Sequence, residues 1–188
     1  MEFKRPLILA STSPRRQFLM KEAGFEFTIE KPEGDEDFPD TMALEEVPMF
    51  LAAKKAKTFQ EKLTDEIVVA SDTVVILKDK IMNKPADRAE AISMLSSLSG
   101  KTHLVITAVC LLSKEKMDLF DDRTKVTFVK LTKEEIEYYV DHYKPFDKAG
   151  AYGAQDWLGM VGIEKINGSY FTVMGMPMHK VYSHLLKF

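Results

Sequence analysis

Short apolar runs alternate with stretches whose apolar residues recur at helical spacing, and this rhythm predicts the elements in order. Leu7-Ile8-Leu9-Ala10 reads as a buried strand, and Phe18, Leu19 and Ala23 mark a helix that Gly24 ends. Residues 25–29 alternate like a strand. Residues 45–63 predict a helix with Phe50, Leu51 and Ala56 on its apolar side and Pro48 in its first turn, since Pro mid-helix breaks the ladder. Ile67-Val68-Val69-Ala70 and Val74-Val75-Ile76-Leu77 are strand-like runs separated by Ser71-Asp72-Thr73, with a turn at Asp79-Lys80. Asp87-Arg88-Ala89-Glu90 resembles a capping box and opens a helix carrying Ala91, Met94, Leu95 and Leu98, which Gly100 stops. Residues 104–112 and 126–131 predict two long strands, antiparallel across residues 113–116. Thr132-Lys133-Glu134-Glu135 is a capping box for a helix to about His142. Residues 162–166 and 169–173 predict a hairpin around Asn167-Gly168. After Gly175-Met176-Pro177 comes a last helix with Val181, Tyr182 and Leu185.

Composition narrows the picture. The 188 residues fit one large domain or two closely joined lobes, and 45% hydrophobic residues can build a substantial core. With 29 acidic against 26 basic side chains the net charge is −3, which argues against a nucleic-acid binder with a basic face. Cys110 is the one cysteine and lies in an apolar run, so it reads as a small buried hydrophobe. The N-terminal Met-Glu-Phe-Lys-Arg-Pro lacks the apolar core of a signal peptide, and no run approaches the ~20 residues of a membrane span. A cytoplasmic protein without a membrane partner is expected. The 11 methionines occupy apolar positions, and His103, His142, His179 and His184 show no metal-ligand spacing.

Four stretches carry candidate chemistry. Ser11-Thr12-Ser13-Pro14-Arg15-Arg16 is a strand-to-helix turn, with Ser13 suited to the N-cap and Pro14 to the first helical position. The helix start, the hydroxyls and two guanidinium forks favour a phosphate; the alternative is a capped helix whose arginines face solvent. Residues 30–41 hold Glu33, Asp35, Glu36, Asp37 and Asp40, either a solvated acidic loop or a source of carboxylates for a hard cation. Asp72, between two apolar runs, is the strongest catalytic candidate on local chemistry, because a buried carboxylate is costly unless paired, metal-bound or strongly hydrogen-bonded. The alternative is an Asp capping a sheet bend. Residues 147–155 are small and glycine-rich, so backbone can approach a ligand there or make a tight connection. Lys54, Lys55 and Lys57 cluster on one helix, and pattern alone selects none of them.

Taken together, Leu9-Ala10-Ser11-Thr12-Ser13-Pro14-Arg15-Arg16, Ala70-Ser71-Asp72-Thr73-Val74, Lys84-Pro85, Leu98-Ser99-Gly100, Thr107-Ala108-Val109, Asp147-Lys148-Ala149-Gly150-Ala151-Tyr152-Gly153 and Gly175-Met176-Pro177 resemble the Maf family of nucleoside triphosphate pyrophosphatases, in the family's order and over nearly the whole chain. The resemblance implies a single Maf-like domain over residues 1–188. Its fold would be an elongated α/β fold related to inosine triphosphate pyrophosphatases, with a mixed sheet, flanking helices and two lobes around a cleft. It implies hydrolysis between the α- and β-phosphates, a divalent metal cofactor (Mg²⁺ or Mn²⁺) and a homodimer without a stable nucleic-acid partner. Carried over residue by residue, the catalytic acid matches Asp72; the nucleotide-binding set matches Ser11, Arg16, Lys55 and Lys84; and the early acidic pair matches Asp35 and Glu36, with Glu36 joining Asp72 at the metal. Arg15, Thr73 and Gln155 match the positions that sort substrates and resemble the branch acting on dTTP and UTP. The branch preferring 7-methyl-GTP carries Trp, Gln and Glu there. Asn83 and Asp156 stand where glycine is common, and Met176 where leucine is usual. A reading from another class is a non-catalytic nucleotide-binding regulator of septum formation, which would bind without turnover. An RNA-binding module is disfavoured by the charge and by the lack of an aromatic-rich basic face.

Overall fold

The computed structural model describes residues 5–188, so the first four residues of the N-terminal reading lie outside the described residues. Among the described residues, a seven-stranded sheet holds the strands β1 (Leu7–Ala10), β2 (Thr28–Ile29), β3 (Ile67–Leu77), β4 (Lys80–Ile81), β5 (Thr102–Leu112), β6 (Met117–Phe128) and β7 (Ile163–Asn167). Their order is β2-β1-β3-β5-β6-β7, with β4 paired to β3. β1 runs parallel to β2 and to β3, whereas β3–β4 and β6–β7 are antiparallel, so the sheet is mixed as expected. Ser113 N–H donates to Lys116 O at 2.8 Å, and Phe128 N–H to Lys101 O at 3.0 Å, pinning β5 and β6 as an antiparallel pair at both ends.

The helices are α1 (Pro14–Glu22), α2 (Val47–Lys57), α3 (Arg88–Leu98), α4 (Lys133–Tyr143), α5 (Trp157–Gly162), α6 (Tyr170–Met174) and α7 (Met178–Leu185). The chain divides into two compact units. The first comprises Met1–Asp72, Thr107–Asp122 and Gly175–Phe188. Its core packs Ala52 and Ala56 of α2 onto Ile8, Ala10, Val68, Ala70 and Ala108. Alanines along one side of α2 let the helix lie close to the strands, and removing such apolar area from water drives the packing. Burial pushes the Cys110 thiol up to about 12, so it behaves as the expected hydrophobe. The second unit comprises Thr73–Ile106 and Arg123–Met174. There Leu95 and Leu98 of α3 and Ile136, Tyr139 and Val140 of α4 share a core with Val126 and Phe128.

Local sequence signals account for several boundaries. Asp87 accepts from Glu90 N–H at 2.9 Å to start α3, and Thr132 with Glu135 forms the expected capping box of α4. The long helix expected over 45–63 is shorter, ending at Lys57 with a separate 3₁₀ turn at Gln60–Lys62. Of the strand expected at 25–29, only Thr28 and Ile29 pair with β1, while Phe25 is buried instead. The alternative of a sheet bend at Asp72 does not hold: β3 is one strand of 11 residues with Asp72 inside it.

The hairpin around Asn167-Gly168 does not form. β7 pairs with β6, with Val126 opposite Ile166, and residues 170–174 are helical. Gly168 has φ 132°, and a Cβ there would come within 2.4 Å of Thr124 Oγ1. Thr124 Oγ1 accepts from Ser169 N–H at 2.9 Å and donates to Ser169 O at 3.1 Å. That side-chain clamp turns the chain off the sheet where the dipeptide alone suggests a return strand.

Candidate active site

The 11–16 turn is built as its residue types suggest, with one difference. Ser13 occupies the N-cap of α1 and Pro14 the first turn, but the Ser13 side chain makes no capping hydrogen bond. Ser11, buried at the end of β1, does the local work: its Oγ accepts from Ser13 N–H at 3.2 Å and from Arg16 Nη1 at 3.4 Å. Arg16 Nε donates to Gly175 O at 2.9 Å, and Ser71 Oγ donates to the same carbonyl at 3.1 Å. Gly175, at φ 104°, therefore aims one carbonyl at residues from two separate motifs. Arg16 is half-buried rather than solvent-facing. Burial lowers its pKa from the ordinary value, and the Asp72 and Glu36 carboxylates act against that effect.

Asp72, only 7% exposed, is paired. Lys55 Nζ donates to Asp72 Oδ1 at 2.6 Å and to Glu36 Oε1 at 2.7 Å, so one ammonium joins two carboxylates from a buried strand and an acidic loop. The structure thereby separates the lysines that the sequence left equivalent. Lys54 binds Asp35 and the Asp37 carbonyl on the exposed side, and that contact holds Asp35 below the usual carboxylate range. Lys57 is exposed. Glu36 and Asp35 thus diverge, with Glu36 joining Asp72. The Lys55 and Asp72 side chains are 13% and 9% exposed, a setting where removing one partner strands the other charge.

The pair also fits a divalent metal. Lys55 shows that a cation is accepted between these two carboxylates, and Mg²⁺ takes hard oxygen donors, commonly one or two carboxylates together with substrate phosphates. Among the described residues no three His, Cys, Asp or Glu side chains cluster as an all-protein cage.

The remaining expected site residues belong to the second unit, apart from Arg15, which is half-buried beside Arg16 in the first. Thr73 follows Asp72 in β3. Lys84 is exposed on a loop whose preceding residues bind the glycine-rich segment: Gly150 N–H donates to Met82 O at 2.9 Å and Asn83 O at 3.2 Å. Asn83 serves here through its carbonyl, which any residue supplies. Gln155 sits inside a tight turn closed by Asp156 N–H donating to Gly153 O at 3.1 Å. Its Oε1 is buried without a hydrogen-bond partner among the described residues. Asp156 has φ −82° and ψ 174°, a conformation open to any residue, so a glycine is not required.

Three supporting residues escaped the sequence reading. Gly175 was legible only as a turn, and Tyr139 only as a position within the helix expected to run to about His142. Asp156 was legible as a departure from the family pattern, without a role.

The family described as Maf-like protein matches residues 6–188. A Bacteroides fragilis protein named dTTP/UTP pyrophosphatase is 48% identical over 181 residues, covering 95% of this chain and 94% of that protein. A Flavobacterium psychrophilum protein of the same name is 48% identical, covering 96% of this chain and 93% of its own length. A HAM1 protein from Coxiella burnetii has the same fold, at TM-score 0.52 and 14% identity over 98% of this chain and 100% of that one. No helix among the described residues is long and apolar enough to cross a membrane. The match over nearly the full length, on a chain that pairs Asp72 with Lys55 and anchors Arg16 at Gly175, places this chain in the Maf family.

Proposed function

We propose that this chain hydrolyses nucleoside triphosphates between the α- and β-phosphates, preferring dTTP and UTP, and releases the nucleoside monophosphate and pyrophosphate. The observation that carries this reading is the ammonium of Lys55 gripped by Asp72 and Glu36, with Arg16 coupled electrostatically to both carboxylates. A triphosphate requires positive groups at fixed positions and a carboxylate able to take a proton from water. Ser11, Arg16, Lys55 and Lys84 bind phosphate oxygens, and Asp72 orients the attacking water and accepts its proton. Lys55 holds the Asp72 carboxylate in place before substrate arrives. Mg²⁺ or Mn²⁺, held by Asp72 and Glu36, would neutralise phosphate charge and acidify bound water.

The base preference rests on Gln155, with Arg15 and Thr73 as its companions in selectivity. An amide oxygen buried without a donor suits the N3–H of uracil or thymine, and the amide N–H₂ can serve a neighbouring carbonyl. The names of the relatives support the same substrates. The test is a screen of nucleoside triphosphates with Mg²⁺ and with Mn²⁺, reading pyrophosphate release. The highest kcat/KM is expected for dTTP and UTP, above dATP, GTP and 7-methyl-GTP. Binding of dTTP without pyrophosphate release would support the regulatory reading instead, and a preference for 7-methyl-GTP would overturn the assignment to pyrimidines.

A further inference from the structure

The glycine-rich segment is held by more than glycine. Tyr139, fully buried on α4, places its hydroxyl between two partners: Oη accepts from Gly153 N–H at 3.0 Å and donates to Asp156 Oδ2 at 2.8 Å. The two partners are the two ends of the turn that carries Gln155. The carboxylate also lies against Gly153, where a Cβ would come within 2.5 Å of Asp156 Oδ2. On the far side of the turn, a Cβ on Gly159 would come within 2.0 Å of Ala154 O, so α5 can seat against the turn only through a glycine. Lys148 Nζ lies 2.8 Å from Asp147 Oδ1 and 3.8 Å from Asp156 Oδ2, giving the half-buried carboxylate a countercharge. All of these contacts fall within the second unit.

We propose that Asp156 and Tyr139 are positioning residues for substrate selection: together they clamp the 153–156 turn and so fix where the Gln155 amide presents itself to the base. A phenol, a carboxylate and a backbone N–H close a hydrogen-bonded loop across the turn that carries Gln155. Burial, reinforced by the bond to Asp156, raises the Tyr139 pKa, so the phenol stays an O–H donor across working pH. The Asp156 carboxylate ties the turn to α4 through Tyr139. A turn held at both ends costs less ordering when a base docks on it, and that difference appears in affinity.

This inference rests on the reading of Gln155 as the base-selecting residue. The test compares wild type with Tyr139→Phe, Asp156→Ala and Asp156→Asn, measuring kcat and KM for dTTP, UTP and dATP alongside the melting temperature. Tyr139→Phe and Asp156→Ala are expected to lower the dTTP-to-dATP ratio of kcat/KM about tenfold, the size of one lost hydrogen bond to a fixed partner, mainly through KM. Asp156→Asn keeps an oxygen for the Tyr139 O–H and should retain most of the ratio. If Tyr139→Phe does not fold, the Asp156→Ala and Asp156→Asn pair gives the same reading. An unchanged ratio together with a lowered melting temperature would make the loop purely structural and overturn the positioning role while leaving the proposed activity standing. A wild-type enzyme without preference for dTTP and UTP would overturn both.

Discussion

The candidate residues of the two units are held in opposite ways. In the first unit, Asp72, Lys55, Glu36 and Arg16 are fixed by charge on charge, with one ammonium between two carboxylates at 2.6 and 2.7 Å. In the second, Gln155 sits in a turn held by backbone, a phenol and one carboxylate, with glycines permitting close approach. The difference suits the two parts of a nucleotide. A triphosphate is recognised by preplaced positive charge, which tolerates ångström-scale adjustment because Coulomb attraction falls off slowly with distance. A base is recognised by directional hydrogen bonds, which fail at small misplacements and so need a stiff frame.

Breaking the charged end should have the largest effect. Asp72→Asn keeps the size of the side chain but supplies a poor base and a poor metal ligand, so pyrophosphate release should fall at least ~10²-fold. A folded, metal-saturated variant with near-normal turnover would remove Asp72 from the mechanism. Lys55→Ala should come next, lowering kcat/KM about ten- to a hundredfold, the range of a hydrogen bond to a charged group. It should also lower the melting temperature, because the Asp72 carboxylate is left without this partner while only 9% of its side chain is exposed. Lys54→Ala is the control: its pair with Asp35 is exposed at 36% and 64%, and both activity and stability should stay near wild type. Equal destabilisation by the two alanines would show that burial does not separate these neighbouring lysines. Arg16→Ala should weaken substrate binding and also cost stability, since Arg16 donates to Gly175 O as well as to Ser11 Oγ.

The neutral end should respond more quietly. Gln155→Glu replaces a donor-and-acceptor amide with an acceptor, so dTTP and UTP turnover should fall about tenfold relative to any 7-methyl-GTP turnover. Uniform loss across all three nucleotides would place Gln155 outside base selection. The smallest effect concerns stability alone. His103 is buried beside Tyr152, its Nε2 2.7 Å from the Tyr152 hydroxyl, and burial brings its pKa from 6.5 down to about 4. The folded chain keeps this imidazole neutral while the unfolded chain protonates it, so stability is lost as pH falls below about 6.5, with the loss complete near pH 4. By about pH 5.5 the loss should be about 1 kcal/mol, read as a shift in the urea midpoint, and His103→Gln should flatten that slope.

Much of the local structure follows from residues that are close together along the chain. The capping box at Thr132 and Glu135, the Asp87 cap, the Pro14 start of α1 and the buried run of β1 all appear where residue chemistry places them, because each depends on residues within a few positions of one another. Residue types also singled out Asp72, since a carboxylate between apolar runs must find a partner. Which partner it finds is set by long-range packing. Lys55 and Lys54 are adjacent and chemically identical, and what separates them is that one faces a buried strand and the other an exposed loop. The return strand expected after Gly168 failed for a similar reason: Thr124, distant in sequence, clamps Ser169 and turns the chain into α6. The Gly153–Tyr139–Asp156 loop and the shared carbonyl of Gly175 were likewise invisible beforehand, because each joins groups separated along the chain by a fold whose register no short-range pattern specifies. Propensity and capping act over one or two turns of chain, whereas the placement of a site is set by long-range packing that brings distant side chains within hydrogen-bonding distance.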